Sequence, residues 1–138
     1  MHELLPKRLW IANAIEARDA RMLFDLGIEA VVDVAYEEAP ARLPRQLIYC
    51  RFPLNDGGGN PSSTLRLAVR IVTELVENAV PTAVACSAGM SRSPLIAAFA
   101  ASQLVGESAD DILKDLAQWR PLQLNAALWN EALAALSR

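Results

Sequence analysis

Short runs of β-branched and aromatic residues alternate along this chain with longer segments whose apolar residues recur every three or four positions. The first pattern is typical of buried strands and the second of amphipathic helices. The predicted strands are 9–12, 30–35, 47–52 and 82–85, and the predicted helices are 15–26, 65–79, 94–104 and two further segments that begin after Ser108 and Asn125. Parallel strands need crossover connections, which such helices supply. The sequence therefore predicts a single α/β domain over 1–138, with a largely parallel central sheet flanked by helices.

The composition limits which partners and which cellular compartment are expected. Hydrophobic residues make up 53% of the 138 residues and charged residues 21%, which excludes a disordered or low-complexity chain. The net charge is -3 and the 13 basic residues are scattered, so nucleic acid is not a favoured partner. The longest apolar run, 95–101, is too short for a membrane span, and we expect neither a secretory signal nor a disulfide framework. We expect a monomeric, cytoplasmic protein without membrane association.

The chemically informative segment begins where the last predicted strand ends, at Cys86. Amide N–H groups at a junction of strand, loop and helix converge on one point, where they favour an anion and stabilise a thiolate. The arginine six residues after the cysteine can return to that point and hold two phosphate oxygens with its planar guanidinium. The spacing therefore predicts a loop that binds phosphate between this strand and the next helix.

Cleavage of a phosphate ester by a cysteine also needs an acid to protonate the departing oxygen. Asp56 is the best candidate, because it lies in a glycine-rich segment just after a predicted strand, and the carboxyl ends of parallel strands face the ligand crevice. Ser93 can donate a hydrogen bond to the sulfur and help it leave in a second step. Two simpler interpretations stay open, with Cys86 as a buried apolar residue and Asp56 as an ordinary turn residue.

At these residues the sequence resembles the dual-specificity phosphatases of the cysteine-based protein tyrosine phosphatase superfamily. Their signature is a cysteine, five residues and an arginine, with serine or threonine after the arginine. The similarity extends to 9–19, which looks like the opening strand and helix, to 53–56, which looks like the general-acid loop, and to 119–121 with Asn125. The resemblance implies Cys86 as nucleophile, Arg92 as transition-state clamp, Ser93 as leaving-group aid and Asp56 as general acid. It also implies that the phosphate is held by the amides of Ser87, Ala88, Gly89, Met90, Ser91 and Arg92. No metal or organic cofactor is implied.

The resemblance also implies a reaction. We expect a phosphomonoester hydrolase that acts on phosphotyrosine and on phosphoserine or phosphothreonine of proteins through a cysteinyl-phosphate intermediate. One alternative is a phosphatase of a non-protein substrate, such as an RNA 5′-end, a phosphoinositide or a phosphoglycan. The other is a weakly catalytic phosphoprotein-binding module, because Ala85 stands where the family usually has a histidine before the nucleophile.

Several residues with chemical potential have simpler interpretations. Cys50 is expected in the core, with a disulfide to Cys86 as a minor alternative that depends on geometry. Glu37 and Glu38 are expected in a solvated loop, and His2 in a mobile terminus. The three tryptophans are interpreted as core anchors; they are Trp10, Trp119 and Trp129.

Overall fold

The central sheet has five strands within residues 1–136, the part of the chain that the computed structural model describes. The strands are β1 (His2–Leu5), β2 (Leu9–Ala12), β3 (Ala30–Ala35), β4 (Ile48–Leu54) and β5 (Thr82–Ala85). Their order is β1-β2-β5-β3-β4, in which β1 is antiparallel to β2 and all other neighbours are parallel. The largely parallel sheet is thus confirmed. The domain bounds 1–138 stay a prediction, and 137–138 lie outside the described residues.

The antiparallel edge strand corrects the interpretation of His2 as part of a mobile terminus. His2 pairs with Ile11 of β2, and Lys7 adopts a left-handed conformation, with φ at 60°, in the turn between the two strands. None of the four residues of β1 is fully buried. The segment therefore lacks the apolar alternation that predicts a strand, and the pairing with β2 orders it.

The described helices are α1 (Ala20–Asp25), α2 (Ser62–Glu77), α3 (Arg92–Val105), α4 (Ala109–Ala117) and α5 (Ala126–Leu136). The helix predicted over 15–26 is divided into a 3-10 turn, Glu16–Arg18, and α1. Asp19 marks the division, because its carboxylate accepts a hydrogen bond from the Met22 amide at 3.1 Å and caps α1. No helix within residues 1–136 is both long and apolar enough to cross a membrane.

Side chains cap the last two helices as the sequence predicts. The Ser108 hydroxyl accepts a hydrogen bond from the Asp111 amide, and the Asn125 side-chain oxygen accepts one from the Leu128 amide, each at 3.1 Å. These bonds satisfy amides that lack a partner within the first turn of a helix. They fix where α4 and α5 begin. The start of α5 lies next to the loops that follow the strands.

Two apolar cores lie on opposite faces of the sheet. The larger core joins the sheet to α2, α3, α4 and α5 and includes Val32 and Val84, whereas the smaller core lies on the α1 side and includes Val31 and Ala83. This division follows from the pleat, since successive residues of a strand point to opposite faces. The whole of β5 is buried at the centre of the sheet. The residue after it, Cys86, is therefore held on a rigid element.

The tryptophans divide between core and surface. Trp10 lies in the smaller core, and Trp129 packs against Phe99 of the larger core with ring centroids 5.5 Å apart. Trp119 is 78% exposed, so its interpretation as a core anchor is wrong. It lies in the connection between α4 and α5, two residues after the last helical residue of α4, where no layer of the fold covers it.

Candidate active site

The segment 86–91 forms a loop between the end of β5 and the start of α3. Backbone hydrogen bonds hold this loop from two sides. The carbonyl oxygen of Ser87 accepts from the Ala14 amide at 3.1 Å, and that of Met90 accepts from the Gln123 amide at 2.9 Å. The loop is therefore anchored both to the end of β2 and to the segment that precedes α5.

Gly89 is required at the centre of this loop. Its φ is 73°, and a β-carbon at this position would lie 3.2 Å from the carbonyl oxygen of Ala12. A residue with a side chain would be strained in the left-handed conformation, and its β-carbon would press against a fixed strand. The resulting path points the Gly89 amide at the Cys86 sulfur, with 3.3 Å between nitrogen and sulfur.

The Cys86 side chain is buried within the loop. The residue is 2% exposed, and its sulfur lies 3.2 Å from the hydroxyl oxygen of Ser93 in the first turn of α3. Ser93 is itself fully buried, and its hydroxyl oxygen also lies 3.4 Å from the carbonyl oxygen of Ala12. The predicted nucleophile and the predicted leaving-group aid are thus brought into direct contact. The amide of Gly89 and this hydroxyl are both able to stabilise a negative sulfur.

Arg92, the predicted clamp, is held along the Nη1–Nη2 edge of its guanidinium, and on the other edge Nη2 lies 3.5 Å from the hydroxyl oxygen of Ser87. Nη1 donates to Glu37 Oε1 at 2.6 Å and to the carbonyl oxygen of Leu54 at 2.8 Å, and Nη2 donates to Glu37 Oε2 at 2.6 Å. The side chain is 5% exposed. Nε is buried and has no hydrogen-bond partner within the described residues. Unsatisfied buried donors are costly, so this N–H is suited to an acceptor that the protein itself does not supply.

Glu37 is exposed, as expected for a solvated loop, but it also binds Arg92, which the sequence did not indicate. Glu37 follows β3, and both of its carboxylate oxygens bind the guanidinium. The hydrogen bonds from Arg92 lower the pKa of Glu37 from 4.5 to about 2. The signal that could have found this residue is the one used for Asp56, namely an acid just after a predicted parallel strand.

Asp56 reaches the loop from the segment after β4. Its Oδ1 accepts a hydrogen bond of 2.6 Å from the hydroxyl of Ser91, and that hydroxyl oxygen also accepts from the Asn125 amide at 3.3 Å. Asp56 remains exposed. The structure therefore places the predicted general acid beside the phosphate loop, where a solvent-accessible ester oxygen could meet it.

Acidic groups surround the open side of the loop. The hydroxyl of Ser87 lies 2.5 Å from Glu37 Oε2 and 2.9 Å from Glu38 Oε2. A hydroxyl donates one hydrogen at a time, so it is shared between the two carboxylates. Glu38, expected in a solvated loop, thus contacts the site through Ser87, with an Arg18 nitrogen 3.8 Å from its other carboxylate oxygen.

Ala85 stands where the family usually has a histidine, so the loop lacks that side chain. Ala85 ends β5 between Ala12 and Asp33 of the neighbouring strands and is buried in the smaller core. Its methyl group can donate no hydrogen bond. The contacts that organise the loop come instead from the backbone, from Arg92 and from Ser93.

The second cysteine lies too far from the nucleophile for a disulfide. Cys50 of β4 pairs with Val32 of β3, which pairs with Val84 of β5. Two strand spacings separate β4 from β5 by about 9.5 Å, beyond the limit of about 7 Å between the α-carbons of bridged cysteines. Both thiols are free. The alternative of a bond between Cys50 and Cys86 is therefore wrong for this fold.

The geometry of the loop agrees with the protein family whose model the sequence matches. The family model described as Tc-R-P, polymorphic toxin system, DSP-PTPase phosphatase, matches residues 6–107. That span covers well over half of the chain and includes every candidate side chain named above from Glu37 to Ser93. The chain belongs to this phosphatase family. No curated protein sequence matches it.

Solved structures show the same fold for this phosphatase. Human DUSP28 is 18% identical, over 99% of this chain and 96% of that one, with a TM-score of 0.86. DUSP15 is 23% identical, over 96% and 84% of the two chains, with a TM-score of 0.83. A mouse putative dual specificity phosphatase, solved in complex with zinc tungstate, is 23% identical over 98% and 85%, with a TM-score of 0.84. The resemblance inferred from 86–93 is thus confirmed for family and fold.

Sequence reasoning about this phosphatase missed two residues that support the Asp56 loop, which is the segment 55–60 between β4 and α2. Asn60 is buried inside that loop, and Glu131 of α5 accepts hydrogen bonds from it. Because glycines dominate the segment, the sequence predicts a turn and gives no sign of side chains that hold it. Nothing in the spacing of the two residues, which are 71 positions apart, indicates their contact.

Proposed function

We propose that this phosphatase hydrolyses phosphomonoesters of protein side chains, phosphotyrosine and phosphoserine or phosphothreonine, through a cysteinyl-phosphate intermediate. One observation carries the proposal. A buried sulfur lies under the Gly89 amide, next to an arginine whose Nε has no partner. With Glu37 on the Nη1–Nη2 edge, the opposite edge offers Nε–H to one phosphate oxygen. A second phosphate oxygen would take the place of the Ser87 hydroxyl, which Nη2 contacts at a long 3.5 Å.

The first step transfers the phosphoryl group to the enzyme. The Cys86 thiolate attacks phosphorus while the bond from phosphorus to the ester oxygen breaks, and Asp56 gives its proton to that oxygen. The loop amides and Arg92 hold the three remaining oxygens as charge develops on them. The product alcohol or phenol then leaves.

The second step returns the free enzyme. Water attacks phosphorus, gives a proton to the Asp56 carboxylate, and the sulfur–phosphorus bond breaks to release inorganic phosphate. The sulfur leaves as a thiolate, and the Ser93 hydroxyl, 3.2 Å away, donates a hydrogen bond to it. Every group that this cycle needs belongs to the chain itself.

The acids around the loop support a protein substrate over a polyanion. Glu37 and Glu38 both lie against Ser87, at the edge where a substrate must approach. A phosphoinositide or an RNA end brings several negative charges, and like charges in close contact raise the cost of binding. A phosphorylated side chain brings one phosphate group on a backbone that is otherwise neutral.

Turnover of para-nitrophenyl phosphate and of a phosphopeptide panel tests the proposal. We expect the wild type and Cys50→Ser to be active, Cys86→Ser to be inactive, and rapid quenching of the wild type to trap one phosphate per protein on Cys86. Phosphopeptide binding without turnover by the wild type would indicate a binding module. Preference for a phosphoinositide, phosphoglycan or RNA 5′-phosphate over every phosphopeptide would contradict the substrate class.

A further inference from the structure

We propose that Glu131 is a positioning residue, which holds the Asp56 loop in the conformation that delivers the proton to the leaving group. The proposal rests on the proposed function, since it gives Glu131 a part in the general-acid step. Glu131 lies on α5, outside the matched segment 6–107 and outside the signature of the nucleophile.

The Glu131 carboxylate binds the loop with both oxygens. Oε2 accepts from the Gly59 amide at 2.7 Å, and Oε1 accepts from the backbone amide and from the side-chain Nδ2 of Asn60, each at 3.1 Å. Although burial acts in the opposite direction, the hydrogen bonds from Asn60 and Gly59 lower the pKa of Glu131. The group is therefore charged at neutral pH, and three donors of one loop converge on a single side chain.

Asn60 carries this contact to the two neighbours of Asp56. Its Oδ1 accepts from the Asn55 amide at 2.8 Å, and its Nδ2 lies 3.1 Å from the Asn55 carbonyl oxygen and 3.0 Å from that of Gly57. Asn60 is 8% exposed. The residues immediately before and after Asp56 are thus both bound by one buried amide, which Glu131 holds from behind.

The loop needs such support because of its composition. Gly57, Gly58 and Gly59 follow Asp56, and glycine has more backbone freedom to lose than any other residue. A β-carbon on Gly58 would lie 3.7 Å from Glu131 Oε2 and 3.8 Å from the Ala127 β-carbon, so α5 packs directly on the run. Within the described residues, side-chain hydrogen bonds to the glycine run come from Asn60 and Glu131. Asp56 itself is bonded to Ser91.

Misplacement of an acid has a chemical signature that general destabilisation lacks. Protonation of the leaving oxygen contributes about 10² to 10⁴ in rate, and a displacement of about 1 Å is enough to lose about 10². The loss falls on esters whose leaving group is a poor one, because a good leaving group departs without help. Phenyl phosphate and para-nitrophenyl phosphate differ in this property and little in size.

The test compares kcat/KM, which reports the step that forms the cysteinyl-phosphate, on these two esters. The proteins are the wild type, Glu131→Gln and the matched control Glu77→Gln, at an exposed glutamate at the end of α2. Glutamine keeps the volume but turns one acceptor into a donor that faces the loop N–H groups. We expect Glu131→Gln to lose about tenfold or more on phenyl phosphate and less than about threefold on para-nitrophenyl phosphate, as a partial loss of the general-acid contribution. The control is expected to match the wild type on both.

Two further variants separate positioning from folding. Asn60→Ala, which cuts the same contact from the loop side, is expected to show the same selective loss, so the comparison survives if one variant fails to fold. In an Asp56→Asn background, Glu131→Gln is expected to cost nothing more, because the acid it positions is gone. Equal losses on both esters, or full additivity with Asp56→Asn, would overturn the role of Glu131 alone. A wild type without turnover would overturn the proposed function and this role together.

Discussion

Removal of the charge on Glu37 tests how the clamp is held. Glu37→Gln leaves Arg92 with a neutral partner and keeps the size of the side chain. Both Nη atoms lose a carboxylate at 2.6 Å, while the bond from Nη1 to the Leu54 carbonyl oxygen remains. We expect the guanidinium to lose its fixed orientation toward the sulfur, and kcat/KM for para-nitrophenyl phosphate to fall about tenfold, the consequence of a misplacement below 1 Å.

The loss of folding stability expected for Glu37→Gln follows from the lowered pKa of Glu37. A decrease from 4.5 to about 2 corresponds to about 3 kcal/mol for a buried group. The Glu37 side chain is 52% exposed, and screening by solvent reduces the value to about 1 kcal/mol. For a chain of this size, that is a decrease in Tm of about 3 to 5 °C at neutral pH.

The lowered pKa of Glu37 determines how its contribution to stability changes with pH. The folded pKa of Glu37 lies below the unfolded one, so its contribution is fully present above about pH 4.5 and is lost as the pH falls toward 2. Urea unfolding of wild type and Glu37→Gln from pH 7 to pH 3 should show a difference that narrows by roughly half at the acid end. Glu77→Gln, at an exposed glutamate at the end of α2, is the control, with no effect expected on kcat/KM.

Two results would refute this reasoning about Glu37. A difference in unfolding free energy that is the same at pH 7 and pH 3 would mean that the charge is not its source. Tighter inhibition of Glu37→Gln by inorganic phosphate, with an undiminished kcat, would show that the carboxylate competes with the substrate for Arg92 and does not orient it.

Three further outcomes are expected. Gly89→Ala forces a left-handed alanine against a strand carbonyl oxygen 3.2 Å away; it should cost about 1 to 2 kcal/mol in unfolding free energy and abolish turnover, and a fully active variant would argue against the loop geometry. Ser108→Ala removes a helix cap far from the chemistry, so a decrease of about 1 kcal/mol with unchanged kcat is expected by denaturant titration. Mild peroxide should leave Cys50 and Cys86 unbridged, and an intact mass lower by two hydrogens would contradict the strand order.

The phosphate loop was predictable from the sequence because its chemistry is local. A cysteine and an arginine six residues apart, on a turn between a strand and a helix, leave few conformations in which both serve one anion. The caps at Ser108 and Asn125 follow the same logic, since a helix start concerns neighbours within one turn. The other four strands were predictable because runs of β-branched and aromatic residues mark them, and β1 was not, because His2–Leu5 contains no such run.

Contacts between distant segments were decided by the tertiary structure alone. Glu37 meets Arg92 across 55 residues and Glu131 meets Asn60 across 71, because the sheet order and the docking of α5 bring these segments to one edge. The same order separates Cys50 from Cys86 by a whole strand. A carboxylate in a loop looks the same in a sequence whether it meets water or a buried guanidinium. Which of the two it meets depends on where packing places the loop.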